Sequence, residues 1–224
     1  VAEVTVARFR RFWNAGHPGV AGGRVLYPEG VSVPWSGPVT EPERTANPRV
    51  ECNWSPSPGM RDRHPINCID WYTAQAFCVW DGGRLPTEAE FEYAARTSVG
   101  FTYPWSEALP DATLVCASSP VTRSMTCEVA SFPATRGFYD LTGNVWERVA
   151  DNDDPERMNC WIPPFRMRNP LCLVPMSSAG SSLRTTRGGA YDSTNSAMLR
   201  GAARSSDSVT GTDRNAGMRC ARSR

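Results

Sequence analysis

The chain has 224 residues, of which 40% are hydrophobic and 10% aromatic, and this length and composition suit one domain with a sizeable core. Its 24 basic and 23 acidic side chains leave a formal charge of +1. Because so small a net charge creates no strong field, we expect no binding of nucleic acid or of an anionic membrane by bulk electrostatics. We therefore predict a single domain over residues 1–224.

Two residue types that many enzymes need are scarce. The sequence contains no lysine, which excludes Schiff-base enzymes and P-loop NTPases, since both use a lysine amine. His17 and His64 are the only histidines, so three-histidine zinc sites and HExxH proteases cannot be built. Several common kinds of catalytic site are thereby removed from consideration.

Three helices are predicted in the first half of the chain, each from a capping residue followed by an apolar stripe. The first begins after Thr5 and ends before Gly16, and the second begins after Asp70 and ends at a Gly-Gly pair. The third begins after Thr87, and Glu90 three residues later completes a capping box. The sequence thus predicts that the helices lie in the first half of the chain.

The second half is divided by proline, glycine, serine and aspartate into short pieces. The apolar stretches at 143–146 and 187–191 are predicted to be brief strands or loops. The acidic run at 151–154 is predicted to be a solvated loop, because contiguous carboxylates usually face water. With 18 glycines and 19 prolines, the domain is expected to be rich in loops.

The eight cysteines are widely spaced, and no CxxC pair occurs among them, which argues against zinc ribbons, iron–sulfur clusters and thioredoxin-like motifs. An even number of dispersed cysteines favours disulfides and therefore an oxidising location: extracellular, cell-surface or periplasmic. No signal peptide or membrane-spanning run is visible, so we expect no direct membrane insertion by these residues. Val1 lies inside what reads as a structured element, from which we expect an upstream segment to have been removed or omitted.

Several motifs together resemble one family. In chain order they are EVTVARFRRF (3–12), NCIDWYTAQAFCVWDGGRLPTEAEFEYAAR (67–96), GFYDLTGNVWER (137–148), RGGAYDS (187–193), AARSS (202–206) and NAGMRCAR (215–222). They are similar to the formylglycine-generating enzyme (sulfatase-modifying factor) domain. The resemblance implies an α+β fold of modified C-type-lectin-like type: a single loop-rich domain, low in regular secondary structure and stabilised by disulfides.

The resemblance also sets an expectation about catalysis. Enzymes of that family oxidise a cysteine of a sulfatase with oxygen and copper, which two cysteines hold. Here the first of those positions is Ser193, and the second falls within 196–199, where no cysteine occurs. Thiolates select Cu(I), and a hydroxyl is a poor ligand for it, so we expect neither copper nor the family's oxidation. Met198 is interpreted as a packing residue.

The family's disulfides give further expectations. The resemblance implies a bridge between Cys78 and Cys220. A second family bridge would join positions 95 and 201, which here are Ala95 and Gly201, so both partners are absent together. The remaining six cysteines pair most simply by proximity, although sequence alone leaves the connectivity open. The pairs are then Cys52 with Cys68, Cys116 with Cys127, and Cys160 with Cys172.

A calcium site is implied by the same resemblance. The side chains of Asp140 and Glu147 and the carbonyl oxygens of Gly143 and Val145 take over the family's ligand positions. Oxygen ligands of this kind suit a hard cation. The alternative interpretation is that Asp140 and Glu147 only cap a turn.

With the copper cysteines gone, the family's groove is expected to be lined by small polar side chains, of the adaptable kind found on recognition loops. The leading hypothesis is a non-catalytic secreted or cell-surface binding module for a protein, a glycan or a surface polymer. The residues assigned to this groove are Tyr191, Asp192, Ser193, Thr194 and Asn195, facing Ser205, Ser206, Asp207 and Ser208.

Three alternatives stay open. The domain could be a structural subunit of an extracellular assembly, with aromatic anchors in proline-rich loops at Trp54, Trp105, Trp161 and Phe165. It could be a ligand-binding variable protein of the retroelement-diversified kind, which randomises the segment after the RGG motif. It could also be an enzyme with a different cofactor, although no convergent set of titratable groups identifies one.

Overall fold

The computed structural model describes residues 1–44, 52–96, 99–118, 121–154, 160, 168–173 and 183–222. Three helices and six short strands are joined by long irregular segments, which confirms the predicted loop-rich α+β fold. The elements in chain order are α1 Val6–Asn14, β1 Arg24–Leu26, β2 Ser32–Pro34, α2 Trp71–Trp80, α3 Glu88–Arg96, β3 Trp146–Asn152, β4 Leu183–Arg187, β5 Arg204–Ser208 and β6 Ala216–Gly217.

The three helices begin where their capping residues predict. The side chains of Thr5 and Asp70 each accept a hydrogen bond from the backbone N–H three residues later, at 3.2 and 2.7 Å. At α3 the bonding is reciprocal: Thr87 N–H donates to the Glu90 carboxylate at 2.9 Å, and Glu90 N–H donates to the Thr87 hydroxyl at 3.1 Å. The capping box is therefore confirmed.

The main core forms where α1 packs against α2. The rings of Phe9 and Phe77 stack with centroids 5.6 Å apart, and Phe12 meets Phe77 edge to face at 5.6 Å. All three side chains are fully buried. Such aromatic burial is a large part of what holds a loop-rich domain together.

A four-stranded sheet, ordered β5-β4-β3-β6, carries the functional region. β3 pairs antiparallel with β4 and parallel with β6, so Glu147 lies between Arg187 and Gly217. β5 pairs with β4 and forms an edge of the sheet within the described residues. The short pieces predicted at 143–146 and 187–191 are mainly turns, and the strands extend beyond them.

The solvated loop predicted at 151–154 is wrong. Asp151 lies in β3 and is fully buried, and Asp154 is 5% exposed. The two oxygens of the Asp151 carboxylate accept hydrogen bonds from Glu88 N–H at 2.7 Å and from Cys172 N–H at 2.8 Å. Glu88 is the first residue of α3, so the carboxylate satisfies a free helix N–H that has no partner within the helix.

All four predicted disulfides are present: Cys52–Cys68, Cys78–Cys220, Cys116–Cys127 and Cys160–Cys172. The second ties α2 to the C-terminal segment across 142 residues of sequence. Cross-links of this number are typical of proteins that fold in an oxidising, non-cytoplasmic compartment. Within the described ranges, no helix has the length and apolar character needed to cross a bilayer.

Candidate functional site

Ser193, which the resemblance assigns to the family's first copper position, lies inside a tight turn. Its side chain is buried, and its hydroxyl oxygen accepts a hydrogen bond from Ala190 N–H at 3.0 Å. Its own N–H donates to the Ala190 carbonyl at 3.0 Å. The hydroxyl therefore closes the turn, where a ligand-binding role had been expected.

Tyr191, the next predicted groove residue, is also internal. Its side chain is 1% exposed, and its N–H donates to the Asn144 carbonyl at 2.9 Å. This bond joins the loop at 191–199 to the turn before β3. Tyr191 and Ser193 are thus buried residues that stabilise the loop, and they expose little surface to a binding partner.

The remainder of the loop is more open. Thr194 and Asn195 are exposed, and the Asn195 side chain accepts a hydrogen bond from Ala197 N–H at 2.9 Å, which caps the short 3-10 turn that follows. Asp192 accepts a hydrogen bond from the Asn215 amide at 2.8 Å. Met198, interpreted as a packing residue, is 47% exposed.

The predicted opposite wall lies on β5. Ser205 and Ser206 are exposed there. Asp207, in contrast, pairs with the fully buried guanidinium of Arg148 at 2.5 Å. Arg148 also donates to the Gly211 carbonyl at 2.6 Å, so Asp207 neutralises a buried charge. Asp207 therefore stabilises the fold, independently of any ligand that binds nearby.

The turn that precedes β3 has an unusual backbone. Asp140, Gly143 and Asn144 have φ angles of 52°, 76° and 61°, in the left-handed region. A Cβ atom on Gly143 would lie 2.4 Å from the Cys116 carbonyl oxygen, so this position requires glycine. Strained turns of this kind cluster at binding sites, because the surrounding contacts must hold them in place.

Glu147, a predicted calcium ligand, is fully buried and forms a two-point ion pair with Arg219. Arg219 also donates to the carbonyl oxygens of Tyr139 and Asp140, at 2.9 and 2.8 Å. One guanidinium therefore fixes both ends of the predicted ligand turn. Burial raises the pKa of Glu147, and the nearby Arg219 opposes that rise.

A third carboxylate, that of Glu3, faces the same turn. Its Oε2 accepts a hydrogen bond from the Asn144 amide at 2.5 Å, while its buried Oε1 has no partner among the described residues. Burial, followed by the charges of Asp140 and Glu147, raises the pKa of Glu3 well above its ordinary value. The Asn144 side-chain oxygen accepts a hydrogen bond from Cys127 N–H at 2.9 Å, which ties the turn to a disulfide.

The side chains around this turn offer oxygen atoms of the kind that a hard cation takes as ligands. Three carboxyl groups, those of Glu3, Asp140 and Glu147, lie around the guanidinium of Arg219, and burial raises the pKa of each of them. In the described part of the chain, these carboxylates do not form a compact group of three ligand atoms. Backbone carbonyl oxygens, such as those of Gly143 and Val145, would have to complete a ligand shell.

Elsewhere among the described residues, one cluster has potential metal-ligand atoms. Asp154, Cys160 and Cys172 place a carboxylate oxygen and two sulfurs within 4.8 Å of one another. The two sulfurs are bonded to each other in a disulfide. Since metals bind the thiolate, this cluster is not a metal site in the oxidised protein.

Sequence reasoning missed three of the residues that build this region: Glu3, Asn144 and Arg219. Each lies within a quoted motif, in EVTV, TGNVWE and GMRC respectively. A charged or amide residue embedded in an otherwise apolar motif is a signal of buried hydrogen bonding, because burying such a group without a partner is costly. Their mutual contacts could not be derived from their spacing.

Comparison with known proteins places the chain in a family. The profile of the sulfatase-modifying factor enzyme 1-like domain matches residues 1–224. The chain belongs to the sulfatase-modifying factor enzyme 1-like family. The resemblance drawn from the motifs is thereby confirmed.

Relatives within this family include enzymes and a protein named as inactive. The formylglycine-generating enzyme of Streptomyces coelicolor is 32% identical over 176 residues, covering 72% of this chain and 53% of that protein. The inactive C-alpha-formylglycine-generating enzyme 2 of Bos taurus is 35% identical over 108 residues, covering 42% of this chain and 36% of that protein. The chain thus spans about half or less of these relatives' lengths.

A solved structure shares the fold. PvdO from Pseudomonas aeruginosa superposes with a TM-score of 0.62 at 19% identity, covering 97% of this chain and 76% of that one. At this identity the likeness concerns the fold alone. The sulfatase-modifying factor fold therefore extends over nearly the whole chain, and its function has to be argued from this chain's own residues.

Proposed function

We propose that this domain is a non-catalytic binding module that works outside the cytoplasm. The observation that carries the proposal is that all eight cysteines are in disulfides. The resemblance in addition assigns Ser193, which is no thiol, to the first copper position. Cu(I) prefers thiolate ligands, and a sulfur within a disulfide is not a thiolate. The domain then lacks the ligands for its relatives' oxidation.

The fold supports a binding role without a catalytic centre. Similarity to a relative named as inactive makes loss of catalysis a familiar outcome on this scaffold. Four disulfides favour secretion or display at a cell surface. Loops on a cross-linked scaffold are a common way to present a recognition surface, because the scaffold limits the entropy lost on binding.

The exposed polar residues form the proposed binding surface. Thr194 and Asn195 on the loop, and Ser205 and Ser206 on β5, present hydroxyl and amide groups to solvent. Such groups exchange hydrogen bonds with the hydroxyls of sugars, so a glycan or a surface polymer is the favoured ligand and a protein the second choice.

A structural calcium ion is part of the proposal. Asp140 and Glu147 would bind it through carboxylates, with the Gly143 and Val145 carbonyls completing the shell. Burial and the charges of Asp140 and Glu147 raise the pKa of Glu3, and a cation bound among these crowded carboxyl groups would relieve their repulsion. When bound, the ion would supply rigidity to the strained turn; the binding surface itself is formed by other residues.

The assembly alternative loses one of its four proposed anchors. Trp54 is 4% exposed, and its indole N–H donates to Glu41 at 3.0 Å, so it is a core residue. Trp105 is half-buried and stacks on Tyr103 with centroids 5.5 Å apart. Trp161 and Phe165 lie outside the described residues. No contact among the described residues favours the variable-protein hypothesis or a different cofactor over the binding module.

A glycan array tests the binding surface. The native protein should bind a restricted set of immobilised glycans or bacterial polysaccharides. The double variant Ser205→Ala, Ser206→Ala should lose at least about tenfold in affinity, the size expected when hydrogen bonds to a ligand are removed. Ser57→Ala, another exposed serine, is the matched control. Equal binding by the double variant, or no saturable glycan binding, contradicts this assignment.

A further inference from the structure

A second site lies away from the 191–199 loop, none of whose residues lines it. A cavity of about 740 Å³ opens beside α3 and the C-terminal segment. Phe91 and Leu141, at its floor, are 2% and 3% exposed and pack in one core cluster with Val149. The floor is therefore part of the folded core and is apolar. Pro86, Ala94 and Phe138 extend it.

The wall opposite α3 is firmly held. Ala221 exchanges two backbone hydrogen bonds with Arg84, at 2.9 and 2.8 Å. The neighbouring Cys220 is bridged to Cys78 of α2. Because both a backbone pair and a disulfide fix this wall, the cavity is preformed and does not need a ligand to open it.

The mouth carries an excess of positive charge. Arg8 and Arg222 share a single carboxylate, that of Asp81, and the Arg222–Asp81 distance is 3.1 Å. Arg136 has no carboxylate partner among the described residues; its guanidinium donates to the carbonyl oxygens of Tyr93 and Ala94 at 3.1 Å each. Three guanidinium groups thus meet one carboxylate.

The remaining charges of the lining do not change this balance. Glu90 is paired with Arg84 at 2.7 Å, and the lining residue Arg219 is paired with Glu147. The ammonium group of Val1 adds to this positive charge only where Val1 is the first residue. The mouth therefore has a net positive charge of two, partly exposed: the side chains of Arg8 and Arg222 are 40% and 64% exposed.

The positive charge at the mouth and the apolar floor together favour one class of ligand. We propose that this cavity binds a small amphiphilic anion, with its apolar body on Phe91 and Leu141 and its carboxylate or sulfonate at Arg136 and Arg222. A volume of this size lies within the range of roughly 300–1,000 Å³ that accommodates small organic ligands. A cation would be repelled by the mouth, and a sugar would leave its hydroxyls unpaired on the floor. The inference does not depend on the proposed glycan surface.

Fluorescence of the apolar anion 8-anilinonaphthalene-1-sulfonate (ANS) tests this site in the native, fully oxidised protein. Its emission should rise saturably, with one dye bound per chain. Decanoate should displace the dye, decanol should displace it about tenfold more weakly, and decylammonium should not displace it, because only the carboxylate gains charge-assisted hydrogen bonds. Added salt should weaken decanoate more than decanol.

Two variants and a control locate the site. Arg136→Gln and Arg222→Gln should each weaken decanoate about tenfold and leave decanol unchanged. Arg24→Gln is the control, because Arg24 is an exposed arginine that bonds only to Ser32 in the described structure. Cooperative thermal unfolding of each variant excludes dye binding to a loosened core. Equal displacement by decanoate and decanol, equal loss in all three variants, or no saturable binding would overturn the proposal.

Discussion

Gly201 lies directly against Ala95: a Cβ atom built on Gly201 would be 3.3 Å from the Cβ of Ala95. These are the two positions where the family resemblance implies a second disulfide, and this chain has cysteine at neither. The two residues are in contact although no disulfide joins them. The scaffold has kept the packing that a bridge requires, close to the Cβ separation of about 3.5–4.5 Å found in disulfides.

The double variant Ala95→Cys, Gly201→Cys should therefore form a fifth bridge. Closing a loop of about a hundred residues is worth up to roughly 4.7 kcal/mol on the chain-entropy account. The new side chain at position 201 must displace Arg96, whose Cγ would lie 2.7 Å from the added Cβ atom, so we expect a gain of about 2–4 kcal/mol in the free energy of unfolding.

Denaturant unfolding measures that gain. The matched control is Ala95→Ser, Gly201→Ser, which introduces similar atoms without a bond. Thiol titration should find no free thiol in the cysteine variant. Two titratable thiols in the folded variant would show that positions 95 and 201 do not meet as described.

Asp151 should make stability depend on pH. Burial raises the pKa of its carboxyl from 3.8 to about 7, while hydrogen bonds from Cys172 and Glu88 N–H groups oppose the rise. Between these two values the folded state binds a proton that the unfolded state does not. The free energy of unfolding therefore falls as pH rises through this window, by up to roughly 1.4 kcal/mol per pH unit from this group.

Asp151→Asn should remove this contribution, so that its stability falls less steeply between about pH 4 and pH 7 than that of the native protein. Urea unfolding across the window gives both slopes. Asp153→Asn, a change two residues away, should keep the native slope. If the two variants behave alike, the buried carboxylate of Asp151 is not the group that titrates.

Calcium should stabilise the domain through the turn before β3. At a free concentration 100-fold above its dissociation constant, a ligand adds about 2.7 kcal/mol to the free energy of unfolding. For a chain of this length that gain corresponds to a rise of roughly 5–10 °C in Tm. Asp140→Asn should abolish most of the rise, because it removes one of the two charged ligands.

Thermal unfolding with added calcium and with a chelator provides the comparison. Asp153→Asn again serves as the control, since it alters the acidic run at 151–154 and leaves the turn intact. A Tm that is the same with calcium and with chelator would contradict the proposed ion. An equal loss in both variants would place the ion elsewhere.

The sequence predicted what local spacing and the family resemblance determine. Thr87 and Glu90 are three residues apart, so their capping box could be read directly, as could the caps at Thr5 and Asp70. The four disulfides were also predicted correctly, one from the resemblance and three from proximity in sequence. Residues that are close in the sequence have few other partners within reach, so their contacts can be predicted from their spacing.

Burial in the second half could not be predicted in this way. Asp151 looked solvated because its neighbours are acidic, yet its partners come from α3 and from Cys172. Tyr191 and Ser193 looked like groove residues because they are polar, but the Asn144 carbonyl and the Ala190 turn hold them inside. Such positions are set by tertiary contacts between distant segments, and residue type alone does not reveal them.

The most direct test of the central claim is an assay for oxidation of cysteine. The native, oxidised protein is incubated with Cu(I), oxygen and a peptide carrying a sulfatase-type cysteine, beside the related enzyme of Streptomyces coelicolor as a positive control. Oxygen uptake and loss of the peptide thiol should proceed with the control and stay at the copper-only background with this protein. Sustained turnover above that background, dependent on the folded chain, would contradict the account.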